Sequence, residues 1–196
     1  METIDMKKMI LTVGRQYGSG GREIGQKVAT RLGYPLYDKD KLLELAKQDG
    51  SYDEVRSFYQ EKPVDSLLYA IAMSTLTQGM ERKPFQEIRK LIEQEPCILI
   101  GRCGNYITKD KPEALRVFIH ADKEFRVKRV AAENNISEEK AAKKIAETDK
   151  ARASFYRFYT NEEWDQASGY DLVLNSSMFG IDRCVDMIIK SMEVEG

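Results

Sequence analysis

The sequence predicts a three-layer α/β fold, a five-stranded parallel sheet with helices on both faces, on three observations. Five short runs rich in strand formers recur along the 196 residues. They are mainly apolar, as strands covered on both sides are. Segments with helical spacing of apolar residues separate them, which is the alternation that builds parallel sheets.

The elements follow in order. Residues 9–13 (MILTV) form a first strand that stops at Gly14, and residues 14–21 (GRQYGSGG) a glycine-rich turn. Ile24, Val28 and Leu32 then recur every fourth residue until Gly33, the pattern of an amphipathic helix with a glycine C-cap. Residues 35–37 offer a second short strand ending at Asp38. A mostly helical stretch covers about 39–95, with Leu67, Ile71 and Leu76 on one apolar face. Strands at 97–100 and 115–119 end at Gly101-Arg102 and near Asp122. Helices fill about 122–134 and 138–159, the latter after a Ser137 N-cap with Glu138 and Glu139 in its first turn. Residues 171–175 give the last strand and 180–193 the last helix. No internal repeat or Pro/Gly/Ser linker divides the chain, so residues 1–196 read as a single domain.

Composition narrows the chemistry. Lys and Arg number 31 against 32 Asp and Glu, a net charge of −1, which argues against a histone-like or membrane-coating protein. With 42% apolar and 32% charged residues the chain is globular and not disordered. His120 is the single histidine, so a zinc site needing two is excluded. Cys97, Cys103 and Cys184 lack metal-knuckle spacing and read as small buried apolar residues. The longest apolar run of the middle segment, 67–73, is far short of the roughly 20 residues a spanning helix needs. The expected setting is the reducing cytoplasm, with no membrane partner.

Ligands of open parallel sheets bind beyond the carboxyl ends of the strands. Glycines, Asp38, Arg102 and the 14–21 turn stand there, a phosphate-binding inventory. Glycines at 14, 18, 20 and 21 allow backbone amides to approach an anion at a helix N-terminus. The turn departs from G-x-x-x-x-G-K-[ST]: Gly21 falls where lysine is expected, and the Ser/Thr is missing. An ordinary βα turn and a dinucleotide fingerprint are the competing readings, the latter short of its third glycine.

Six blocks, GRQYGSGGREIG at 14–25, YDKDKL at 37–42, ILIGRCGNYI at 98–107, RVFIHADKEFRVKRV at 116–130, DKARASFYRFYT at 149–160 and YDLVLNSS at 170–177, together resemble the cytidylate kinase-like proteins, a branch of the P-loop nucleoside monophosphate kinases. The resemblance spans about residues 9–190. It implies a P-loop NTPase-like core, a helical monophosphate-binding insertion at about 39–95 and a small lid at about 131–152. It further implies transfer of the ATP γ-phosphoryl group to a nucleoside monophosphate, with ATP and Mg²⁺ as cofactors and nucleotides, not nucleic acid, as partners, in a monomer or homo-oligomer.

On this basis Gly14, Arg15, Gln16, Tyr17, Gly18, Ser19, Gly20, Gly21, Arg22 and Glu23 are expected to bind nucleotide phosphate, with Arg22 supplying the charge of the missing lysine. Asp38 and Glu23 are expected to hold Mg²⁺ through water, or, in their ordinary roles, to cap a turn and a helix. Asp38, Arg102 and Asp149 are expected at the acceptor. Arg129, Lys150 and Arg152, from the 126–129 helix face and the D-x-x-R block, are expected to neutralise the transferring group; Arg126 shares that face and reads equally as a solvated position. Cys103 stands where cytidylate kinases carry an aspartate that helps recognise cytosine, which loosens the expectation for CMP. The aromatic cluster at Phe155, Tyr156, Phe158, Tyr159 and Trp164 reads as packing more than as a stacking platform. Two alternatives remain: a nucleotide sensor without turnover, and a kinase of another small acceptor.

Overall fold

The computed structural model describes residues 9–48, Phe58 and 83–193. Five strands form one parallel sheet: β1 (Ile10–Arg15), β2 (Leu36–Tyr37), β3 (Cys97–Ile100), β4 (Ala114–His120) and β5 (Leu172–Asn175), in the order β2-β3-β1-β4-β5. The first strand is therefore central. It pairs with β3 from Ile10↔Cys97 to Val13↔Ile100 and with β4 from Ile10↔Ala114 to Arg15↔Ile119. Pairing with β4 carries β1 through Gly14, the expected stop, to Arg15.

Side-chain alternation along these strands assigns the two cores. Leu11, Val13, Ile98, Ile100, Leu115, Val117 and Ile119 face one layer, made by α1 (Gly21–Leu32) and α8 (Ile181–Met192). Ile24 and Val28 of α1 meet Val185 and Ile188 of α8 there, all fully buried. Ile10, Cys97, Leu99 and Phe118 face the opposite layer. That layer holds α2 (Lys39–Gln48), α3 (Lys83–Ile92), α4 (Gly104–Ile107) and the C-terminal half of the 23-residue α6 (Glu138–Thr160). The buried rings Phe155, Tyr156, Tyr159 and Trp164 belong to this core, with Phe58 4.7 Å from Tyr159 between ring centroids. Packing is thus their role.

A third cluster joins α5 (Lys123–Asn134) to α6 through Val127, Val130, Ala141 and Ile145, with Tyr17 of the glycine turn against it. The residues 131–152 lie in this α5–α6 hairpin. Local signals set its corners: Asn135 takes the left-handed C-cap (φ 52), and the Ser137 hydroxyl accepts from the Lys140 amide. A four-residue helix, α7 (Ser176–Phe179), follows β5 and had no signal in the sequence. Leu67, Ile71 and Leu76 lie outside the described residues. Among the described residues no helix is long and apolar enough to cross a membrane.

Candidate functional site

At the carboxyl ends of the strands the turn between β1 and α1 is fastened from outside. The Gln16 amide donates to Ile119 O (3.0 Å), and the Gln16 side chain accepts from the Ala121 amide (3.3 Å). Ser176 Oγ donates to Ser19 O (2.6 Å). From the hairpin, Asp149 Oδ1 accepts the Tyr17 amide (2.7 Å), while Arg126 bonds Asp149 Oδ2 (2.6 Å) and Tyr17 O (3.3 Å). Gly18 and Gly20 take left-handed φ (80° and 77°), as glycine does at small cost. Among the described residues no acceptor takes the amides of Gly18, Gly20, Gly21 or Arg22. The last three lie at the positive end of α1, where such amides form a cradle with the geometry to receive an anion.

The cradle opens into a cavity of about 440 Å³. Among the described residues six cationic side chains line it, Arg15, Arg22, Lys39, Arg102, Arg129 and Arg152, against four carboxylates, Glu23, Asp38, Asp40 and Glu133. The excess of positive charge suits a polyphosphate. Several of these groups hold one another. Arg22 Nη2 lies 2.6 Å from Asp38 Oδ2, and Arg129 Nη2 lies 2.7 Å from Glu23 and 2.8 Å from Glu133. Arg152 Nη1 donates to Arg15 O (3.0 Å), and its guanidinium stands 5.6 Å from the Tyr17 ring centroid. Asp38 does two things at once: Oδ2 faces Arg22, and Oδ1 accepts the amides of Asp40 and Lys41 (both 3.1 Å), capping α2.

Gly101, Arg102 and Cys103 follow β3 with φ of 74°, 56° and 56°. Two consecutive non-glycine residues in the left-handed region cost of order 1–3 kcal/mol each and cluster at functional sites. The turn buries Arg102, 3% exposed, with Nη1 3.4 Å from Phe58 O. Beneath it a second void of about 20 Å³, room for about one water, is lined in part by Thr12, Cys103, Asn105 and Tyr156. Arg15, Arg102 and Arg152 line both spaces. Burial pushes the Tyr156 phenol up, against the downward pull of the hydrogen bond from Asn105 (2.8 Å); burial also raises Tyr170. Both phenols stay neutral at physiological pH.

Most of the residues expected at a phosphate site line the large cavity. Gly14 and Ser19 do not line it: Gly14, in β1, lines the smaller void, and Ser19 is buried and donates to Gln16 O (2.8 Å). Lys150 is exposed and does not line the cavity. Asp149 meets the turn and not the cavity wall, and Arg126, which also read as solvated, is its partner at 11% side-chain exposure. Arg126 carries no sequence signal beyond a face shared with Arg129, because its partner lies 23 residues on. Lys39, Asp40, Gln26 and Glu133 also line the cavity without having been singled out. His120 is half-buried at the end of β4, and the three cysteines are buried, with no disulfide among the described residues.

The chain resembles known proteins along nearly its whole length. The cytidylate kinase of Archaeoglobus fulgidus is 26% identical over 192 residues, spanning 95% of this chain and 96% of that protein. That of Thermoplasma volcanium is 25% identical over 187 residues, 94% and 92% of the two chains. Among solved structures, an uncharacterized protein of Eubacterium ventriosum superposes with a TM-score of 0.75 at 29% identity, covering 95% of this chain and 99% of that one. The shikimate kinase of Bacteroides thetaiotaomicron shares the fold, with a TM-score of 0.55 at 12% identity over 94% and 98%. The family model described as cytidylate kinase-like matches residues 10–178, and with the amide cradle at the head of α1 in place, the chain belongs to the cytidylate kinase-like family of P-loop kinases.

Proposed function

We propose that this protein transfers the γ-phosphoryl group of ATP to a nucleoside monophosphate, with CMP the first acceptor to test. One observation carries the reading: among the described residues, four backbone amides without acceptors and six cationic side chains meet in one cavity at the strand ends. In the reaction an acceptor phosphate oxygen forms the new bond to Pγ while the bond from Pγ to the β,γ-bridging oxygen breaks, and ADP leaves with that electron pair. Such a transfer needs alignment and charge neutralisation and no protein nucleophile. The loop amides suit the β- and γ-phosphates, and Arg129 and Arg152 reach the cavity from the α5–α6 hairpin, where charge develops. Arg102, on its left-handed turn, suits the acceptor phosphate through its planar fork of donors.

The donor set also fits Mg²⁺. Asp38 and Glu23 present hard carboxylate oxygens to the cavity, and among the described residues no group of three His, Cys, Asp or Glu forms a closed cage. Mg²⁺ in phosphoryl-transfer sites retains waters and takes one or two carboxylates beside the phosphates. When bound it would neutralise phosphate charge, with Asp38 and Glu23 holding it through water. The cytidylate kinase names of the archaeal relatives favour CMP. Cys103, buried beside Arg102, favours a wider acceptor range.

Titration calorimetry with Mg-ATP, followed by a coupled ADP-release assay over CMP, UMP, dCMP, AMP and shikimate, tests the reading. Tight ATP binding and turnover of a pyrimidine monophosphate are expected. Binding without turnover on any acceptor would make the protein a nucleotide sensor, and preference for shikimate would replace the acceptor class.

A further inference from the structure

Sequence order makes Arg22 the natural stand-in for the missing lysine, but the geometry favours another cation. Position 21 opens α1 and is where that lysine would stand. Gly21 is buried, and a Cβ built on it would lie 2.5 Å from Arg15 Cβ and 3.1 Å from Arg15 Cγ. The volume through which a side chain at 21 would leave is already filled by the stem of Arg15. Further along, the Arg15 guanidinium crosses Gly101, where a Cβ would overlap Nη1. Two glycines on separate elements thus form a track for one side chain, which runs from the end of β1 into the cavity that the loop amides face. Its main-chain carbonyl is held by Arg152. Arg22, by contrast, turns to Asp38 (2.6 Å) and Asp40 (3.6 Å), and its side chain is 56% exposed.

We propose that Arg15 takes the place of the P-loop lysine: it enters the phosphate cavity from the strand side through space that Gly21 and Gly101 leave open. The inference rests on the kinase reading above. Gly21 is then no degenerate lysine but the condition for the exchange, and a guanidinium fork replaces a point charge at the β- and γ-phosphates.

The test uses the full-length protein with four variants, measuring kcat on the best acceptor and Kd for ATP by calorimetry. Arg15→Met keeps the aliphatic stem packed on Gly21 and removes only the charge. It is expected to lower kcat by about 10²-fold or more, the usual cost of one transition-state donor, and to weaken ATP binding at least tenfold. Arg15→Lys should recover part of both losses, and Arg22→Ala should lose less than tenfold in kcat. The decisive variant is the double change Arg15→Ala with Gly21→Lys, in which a lysine enters the cleared track; kcat should exceed that of Arg15→Met at least tenfold. Arg15→Met within threefold of wild type, or a larger loss in Arg22→Ala, overturns the inference while the kinase reading stands. A wild-type protein silent toward ATP overturns both.

Discussion

Cys97 and Tyr37 put ionisable groups against the inner face of the sheet, where a negative charge is poorly solvated. Burial first, then the nearby Glu95 carboxylate, pushes the Cys97 thiol from 9.0 up to about 12. Burial, then the hydrogen bond and charge of Glu95, pushes the Tyr37 phenol from 10.0 up to about 12. The folded chain therefore keeps two protons that the unfolded chain releases in alkali. Their stabilising contribution is complete below about pH 9 and is lost as pH rises from there to about 12. Urea midpoints should hold near pH 8 and fall steadily at pH 10 and 11, with a shallower fall in Cys97→Ala. A flat profile across that range would contradict the burial of both groups. At this scale the sequence was informative about residue type and silent about direction. Arginines beside a glycine turn point to phosphate, but which one enters the cavity depends on Gly101, some 80 residues away. Asp38 reads equally as a cap or a site residue, and in the fold it caps α2 while lining the cavity beside Arg22.

Between elements, the α5–α6 hairpin grips the phosphate turn through Asp149, which holds the Tyr17 amide and the Arg126 guanidinium together. Asp149→Asn should cost about 1–3 kcal/mol in denaturant unfolding, since a largely buried cation loses its counter-charge, and should weaken ATP binding without altering acceptor affinity. A change in acceptor KM alone would place Asp149 at the other substrate. The elements legible in the sequence were those with local signals: α1 from its four-residue stripe and Gly33, α6 from Ser137, β3 from an unbroken apolar run, and β4 from a run interrupted only at Arg116. Those missed depend on distant partners. β1 runs to Arg15 because β4 offers Ile119 beside it, and α7 is held by Ser176 reaching Ser19 O and His120 O.

For the whole molecule, a ligand that binds only the folded state stabilises it by mass action. Mg-ATP at a hundred times its Kd should contribute about 2.7 kcal/mol, which for a chain of this size raises the melting temperature by about 5–10 °C. Thermal shift with ATP, AMP and ribose 5-phosphate checks this, and equal shifts for all three would argue against a polyphosphate cradle. The sheet order also has a temporal meaning. The strand translated first is the one at the middle of the sheet, and both its neighbours are supplied only after residue 96. Until then β1 emerges from the ribosome without either of the strands it pairs with, so it should depend on chaperone cover until β3 and β4 follow. Refolding from denaturant should accordingly be governed by long-range strand capture and not by helix growth.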